Sequence, residues 1–254
     1  MAIKKPSLIL GAVILSIGVL GAGYSIGWGM YQVRKMNRVT TVKGIAERDV
    51  KSDLAIWEIN YREIGNDLVQ LNQKLQQDRQ TVEAFLKEQG FSDAEITRGS
   101  FKVEDRFANV YSQTSQNPND QRYVLIGGTR VRSPQVELVQ KSVDQTDKLL
   151  QAGVPLAFDV SGFFPNPSYY FMGLDSIRPS MMADATKSAR TLADQFAKDA
   201  SCTLGGIQRA SQGVFQIMSR DTSTMNSDWS SNESALGTIN KKVRLVTTLE
   251  YRLK

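Results

Sequence analysis

The first rhythm in this chain is the absence of one: from Leu8 to Met30 it is apolar on every helical side and carries no charge. At the α-helical rise that stretch reaches roughly 35 Å, enough to cross a hydrocarbon core of about 30 Å. Lys4 and Lys5 precede it, and Arg34, Lys35 and Arg38 follow. Trp28 and Tyr31 lie near its far edge, where amphipathic rings favour the headgroup level. The pattern predicts a single membrane anchor with its flanks over residues 1–38, held in a lipid bilayer, and a body over 39–254. Gly18, Ala22, Gly23 and Gly27 contain two pairs at four-residue spacing, so two such helices could pack closely; glycine is also simply common in membrane helices. A cleaved signal peptide is the competing reading, but the apolar run continues past Gly21, Ala22 and Gly23 through Tyr24, Ile26 and Trp28.

In the body the rhythm alternates between two and about 3.6. Ala55, Trp57, Ile59 and Tyr61 alternate with polar or outward positions and predict a strand, joined through a polar turn at 49–53 to a shorter strand at 42–48, as a hairpin. Asn66 is the expected N-cap of a helix whose stripe is Leu68, Leu71, Leu75, Val82 and Phe85 or Leu86, with Gly90 closing it. Strands follow at 96–111 and 123–132 around a polar loop, and Gly127-Gly128 indicates a bulge or a close backbone approach. Ser133-Pro134 is the expected start of a helix with Val136, Val139, Val143 and Leu150 on its stripe. A strand at 154–160 completes the order strand, helix, strand, strand, helix, strand, which is the split βαβ arrangement. Beyond it lies a helix from Asp175 or Ser180 to Thr203, with Met182, Ala185, Ala189, Leu192, Phe196 and Ala200 in one stripe and Leu204-Gly205-Gly206 as its stop. A strand at 207–218, a Ser/Asn-rich loop and a long alternating strand through Leu253 end the chain. The fold class is therefore α/β in the α+β sense, and a division of the body into 39–165 and 166–254 stays open.

Composition narrows the function. The formal charge is +5, but five of the 31 basic residues are the anchor's flanks. The body then holds as many basic as acidic residues and has no footprint for nucleic acid. Histidine is absent, which removes the common proton shuttle, the commonest zinc ligand, and Ser–His–Asp or Cys–His catalysis. Cys202 stands alone and reads as a small core residue of its helix.

Three segments carry a resemblance: "VKGIAERDVKSDLAIW", "MADATKSARTLADQFAKDASCTLGGIQRASQGVFQI" and "KKVRLVTTLEYRL". In that order they resemble the SIMPL-domain family of bacterial envelopes. The resemblance implies an α/β fold, export across the inner membrane and a tendency to oligomerise, and it brings no catalytic residues with it.

No catalytic, cofactor or metal residues are assigned. Asp53 reads as a turn residue, and Glu104 and Asp105 point to opposite strand faces. The aromatic run Phe163, Phe164, Tyr169, Tyr170 and Phe171 is either a plug at the core edge or an exposed interaction surface. The resulting expectation is a non-enzymatic protein, single-pass in the inner membrane with its C-terminal body in the periplasm. It would act by homo-oligomerisation or through an envelope protein partner in envelope maintenance or stress tolerance. The alternative is a ligand binder or enzyme using an aromatic and carboxylate pocket around 158–175, with Asp159 and Asp175 flanking the rings.

Overall fold

The structure is a computed structural model describing residues 5–36, 38–108, 121–157, 166–220 and 236–254, and the side chains of the first helix over 15–30. That helix, α1 (Lys5–Met36), is 32 residues long. Its large apolar side chains from Leu15 to Met30 are between 59% and 75% exposed. Among the described residues no helix is long and apolar enough to cross a membrane.

The strands and helices that follow are β1 (Val39–Lys51), β2 (Leu54–Gly65), α2 (Leu68–Glu88), β3 (Ile96–Asp105), β4 (Tyr123–Ser133), α3 (Val136–Val143), α4 (Asp147–Gln151), β5 (Ser168–Tyr170), α5 (Leu174–Asp199), β6 (Leu204–Gln212), β7 (Gln216–Ser219) and β8 (Asn240–Leu253). They form a mixed α/β fold with two antiparallel sheets and packed helices. The chain divides into two compact units, each assembled from separate segments: 1–46, 180–215 and 245–254 in one, 47–179 and 216–244 in the other.

The larger unit holds the split βαβ order. Its sheet runs β3-β4-β2-β5 with antiparallel neighbours, and β2 pairs β4 from Ala55 opposite Ser133 to Gly65 opposite Tyr123. Ala55, Trp57, Ile59 and Tyr61 alternate into the core, where Leu71, Leu75, Val82, Phe85 and Leu86 of α2 meet them. Gly127 and Gly128 are close approaches: a Cβ on Gly127 would lie 2.9 Å from the Tyr61 ring, and one on Gly128 would lie 2.6 Å from Asn60 Oδ1.

Several local expectations shift by a residue or two. The cap of α2 is Asp67, whose carboxylate accepts from the Val69 and Gln70 backbone N–H groups, because the Asn66 side chain is taken by the Arg122 N–H. Ser133 binds the Gln135 N–H and α3 starts only at Val136. Leu149, not Leu150, is buried, since the turn at 144–146 interrupts the helix and resets its phase. Of the strand expected at 154–160, Leu156 makes one bridge to Tyr61, residues 158–160 lie outside the described residues, and the edge strand is β5.

The opening hairpin does not form. β1 continues to Lys51 and pairs with β8, while β2 pairs with β4 and β5. At the junction the Ser52 N–H binds the Ile239 carbonyl and the Asp53 N–H binds the Tyr170 carbonyl. Alternation declares that a strand has one buried face; it does not name the neighbour.

In the smaller unit α5 packs on the sheet order β1-β8-β6, burying Met181, Ala185, Ala189, Ala193 and Ala197. Of the expected stripe Ala185 and Ala189 lie in this four-residue row, but Met182 is half-buried and Leu192, Phe196 and Ala200 are exposed, because only the alanine edge lies against the strands. A Cβ on Gly44 of β1 would fall 1.9 Å from the Ala185 carbonyl oxygen and 2.7 Å from the Ala189 Cβ. The helix ends at Asp199, with Ser201 in left-handed backbone (φ 53°), and Gly205-Gly206 already belong to β6. The outgoing strand expected at 207–218 is two strands, broken where the Gly213 N–H binds the Val246 carbonyl.

Candidate functional site

In the larger unit, β2 supplies the floor of a cavity of about 410 Å³ through Trp57 and Ile59. Val143 from α3, Leu150 from α4 and Leu156 form its apolar wall; Asn60, Thr146, Asp147 and Asn166 form a polar rim. It opens beside the turn at 144–146 that separates α3 from α4, over Trp57 and Ile59, which are themselves buried. Val143 and Asn166 also line a second, more polar cavity of about 450 Å³, with Asp144, Tyr169 and Asn240.

Tyr169 is 4% exposed and belongs to the core, so it is not a surface ring. Burial first, and then the charge of Asp144, push its hydroxyl up to about 12. It remains protonated at neutral pH and can donate a hydrogen bond but cannot serve as a base. Tyr170 and Phe171 are half-buried, while Phe163, Phe164 and Asp159 lie outside the described residues. Asp175 does not join the cavity: it is exposed in the first turn of α5, 3.2 Å from Arg178. The carboxylate that meets the tyrosine is Asp144, which the aromatic run could not indicate because it stands more than twenty residues away on another element.

The remaining candidates have structural partners. Asp53 accepts from the Met172 N–H at 2.7 Å and ties the start of β2 to the segment after β5. Asp105 binds Arg122 at 2.7 Å on the strand face opposite Glu104. Cys202 lies beyond the end of α5, half-buried, with Sγ 3.4 Å from the Ala200 carbonyl oxygen. On α1, Gly18, Gly23 and Gly27 face open space and Ala22 is exposed, so among the described residues nothing covers the small-residue row.

Sequence reasoning missed Lys241, which is 2% exposed. It donates from Nζ to the Thr238 carbonyl at 2.9 Å, and burial lowers its pKa. Its signal was present: the alternation of β8, extended one step back from Val243, lands on it.

Among the described residues no three His, Cys, Asp or Glu side chains gather where a metal ion could sit. The arrangement can enclose an apolar group beneath a polar rim. A family model described as SIMPL, protein of unknown function (DUF541), matches residues 40–246. No curated protein matches the chain.

Proposed function

Because the chain belongs to the SIMPL family, we propose that it is a membrane-anchored member whose body faces the extracytoplasmic side and works by assembling with copies of itself or with a partner protein. One observation carries this reading. The sequence of α1 from Leu8 to Met30 is uncharged, and among the described residues nothing covers the side chains of 15–30. A helix of that kind costs free energy in water and is at home in lipid. Residues 15–30 alone extend only about 24 Å. The α1 backbone, however, runs from Lys5 to Met36, and the uncharged sequence from Leu8 to Met30 lies within it. The body's balanced charge and lack of histidine favour contact over nucleic-acid binding or histidine-dependent chemistry.

The test is fractionation of the full-length protein with a reporter, active only outside the cytoplasm, fused after Lys254. The expected result is retention in the membrane through alkaline carbonate extraction, with an active reporter. Release into the supernatant, or a silent reporter in a membrane-bound protein, overturns the placement.

A second reading, small-ligand binding, is favoured by the apolar cavity over Trp57 and Ile59. Fluorobenzene titrated into the full-length protein and followed by fluorine NMR should broaden on entering it. Leu150→Phe, which occupies part of that space, should weaken the effect about tenfold. Equal broadening in both proteins sinks the reading.

A further inference from the structure

We infer that β3 is a self-complementary edge, pairing antiparallel with β3 of a second copy around Val103. This rests on the assembly reading and assigns it a surface.

Among the described residues β3 ends its sheet, with β4 as its paired neighbour. Phe101 and Val103 lie opposite Gly127 and Leu125, on the face that carries α2, yet are 49% and 47% exposed. Two features bound the usable edge. A bulge breaks the register between Arg98 and Phe101, and beyond Asp105 the chain turns, with the Ala108 N–H on the Asp105 carbonyl. The regular edge is therefore 101–105, and its midpoint is Val103.

Hydrogen-bond parity agrees with that midpoint. The Arg106 N–H binds the Arg122 carbonyl, continuing the β3–β4 register. Alternation along an antiparallel ladder then turns Lys102 and Glu104 toward β4 and leaves the backbone groups of Phe101, Val103 and Asp105 pointing outward. A two-fold centred on Val103 places its N–H and C=O against those of its copy. The Asp105 N–H then faces the Phe101 carbonyl on either side. A centre at Lys102 or Glu104 would present inward-turned groups and set like charges opposite each other.

Side chains select the same register. Across the two-fold, each Lys102 meets Glu104 of the second copy on one face, twice per dimer. Within one strand the two side chains are exposed and only 4.0 Å apart, so both can reach outward. On the other face Phe101, whose ring already carries the Arg98 guanidinium at 5.6 Å, meets Asp105 of the second copy, whose charge is held by Arg122. A second copy supplies all of these partners at once.

The experiment uses full-length protein in native membranes, with Cys202→Ser as background. Val103→Cys should oxidise to a disulfide-linked dimer, since paired Cα atoms lie about 5.5 Å apart, within disulfide reach. Thr97→Cys, whose copies would sit about 40 Å apart, should give at least about tenfold less. Lys102→Glu should weaken the dimer about tenfold, and Lys102→Glu with Glu104→Lys should restore it. A protein that self-associates but gives no Val103 disulfide, or whose double reversal fails to restore the dimer, overturns the edge assignment and leaves the assembly reading standing. A strictly monomeric protein in crosslinked membranes removes both.

Discussion

Gly44→Ala is expected to lower the stability of the unit built from β1, β6, β8 and α5 by about 3 kcal/mol or more, at the upper end of what overpacking costs. The added methyl would meet the Ala185 carbonyl oxygen at 1.9 Å and the Ala189 backbone nitrogen at 2.7 Å. Two of the obstructing atoms are backbone, so no side chain can rotate out of the way. The helix would have to retreat from β1, uncovering Val42 and Leu249, which pack with Ala189 and Ala193. Gly206→Ala is the matching control: its Cβ would meet nothing within 4 Å and its backbone needs no positive φ, so a change within about 0.5 kcal/mol is expected. Urea melts of the full-length variants in detergent decide the matter. Equal midpoints for wild type and Gly44→Ala would refute the close approach of α5 to β1.

The second large effect concerns pH. Burial, then the neighbouring Glu63 carboxylate, push Asp78 of α2 up to about 6, against the pull of Lys74. Its Oδ2 is buried and accepts no hydrogen bond. In the unfolded chain this carboxyl titrates near 3.8. Between those values the folded state holds a proton that the unfolded state has released, so this group's contribution falls as pH rises from about 4 to about 6 and is flat above that. Two pH units set a ceiling of about 2.7 kcal/mol. Asp78 is half-buried, so solvent screening reduces the expected effect to about 1 kcal/mol. Asp78→Asn, whose amide can donate to Glu63, should therefore stabilise the protein at pH 7 and do little at pH 4. Glu58 and Glu95 work in the other sense and lower window. For Glu58 burial is outweighed by bonds from Arg130 and Ser100, and for Glu95 the leading cause is a bond from Ser133; both are held below the usual range. The wild-type minus variant difference isolates Asp78, and a difference that does not change with pH would dismiss the argument.

Local signals in the chain carried far. The alternation of Ala55, Trp57, Ile59 and Tyr61 and the stripe of α2 from Leu71 onward face the core as their periods require, while Leu68, at the start of the helix, stays exposed; Gly90 has the positive φ, 103°, that its place after α2 called for. The order strand, helix, strand, strand, helix was also legible, because each element announces its own period; the pairings of β2 with β4 and with β5 join residues far apart in sequence, and the closing strand is β5 rather than 154–160. Of the candidate site little could be read. Tyr169 lies in the aromatic run, but its partner Asp144, the floor at Trp57 and Ile59, and the rim at Asn166 come from other elements. A cavity is a residue of packing, and packing has no period.

What the sequence determined alone is whatever one segment decides for itself: an uncharged helix at the start, a body of balanced charge without histidine, and the helical or extended habit of most segments. Tertiary structure alone decided which strands are neighbours, sending β1 to β8 at the far end of the chain, and which helical row is buried, choosing the alanines of α5 over Leu192 and Phe196. The reason is range. Periodicity and capping act within a few residues and are written in local order. Strand partnership and close approach depend on surfaces distant in sequence, where one missing Cβ at Gly44 governs how near a helix can come.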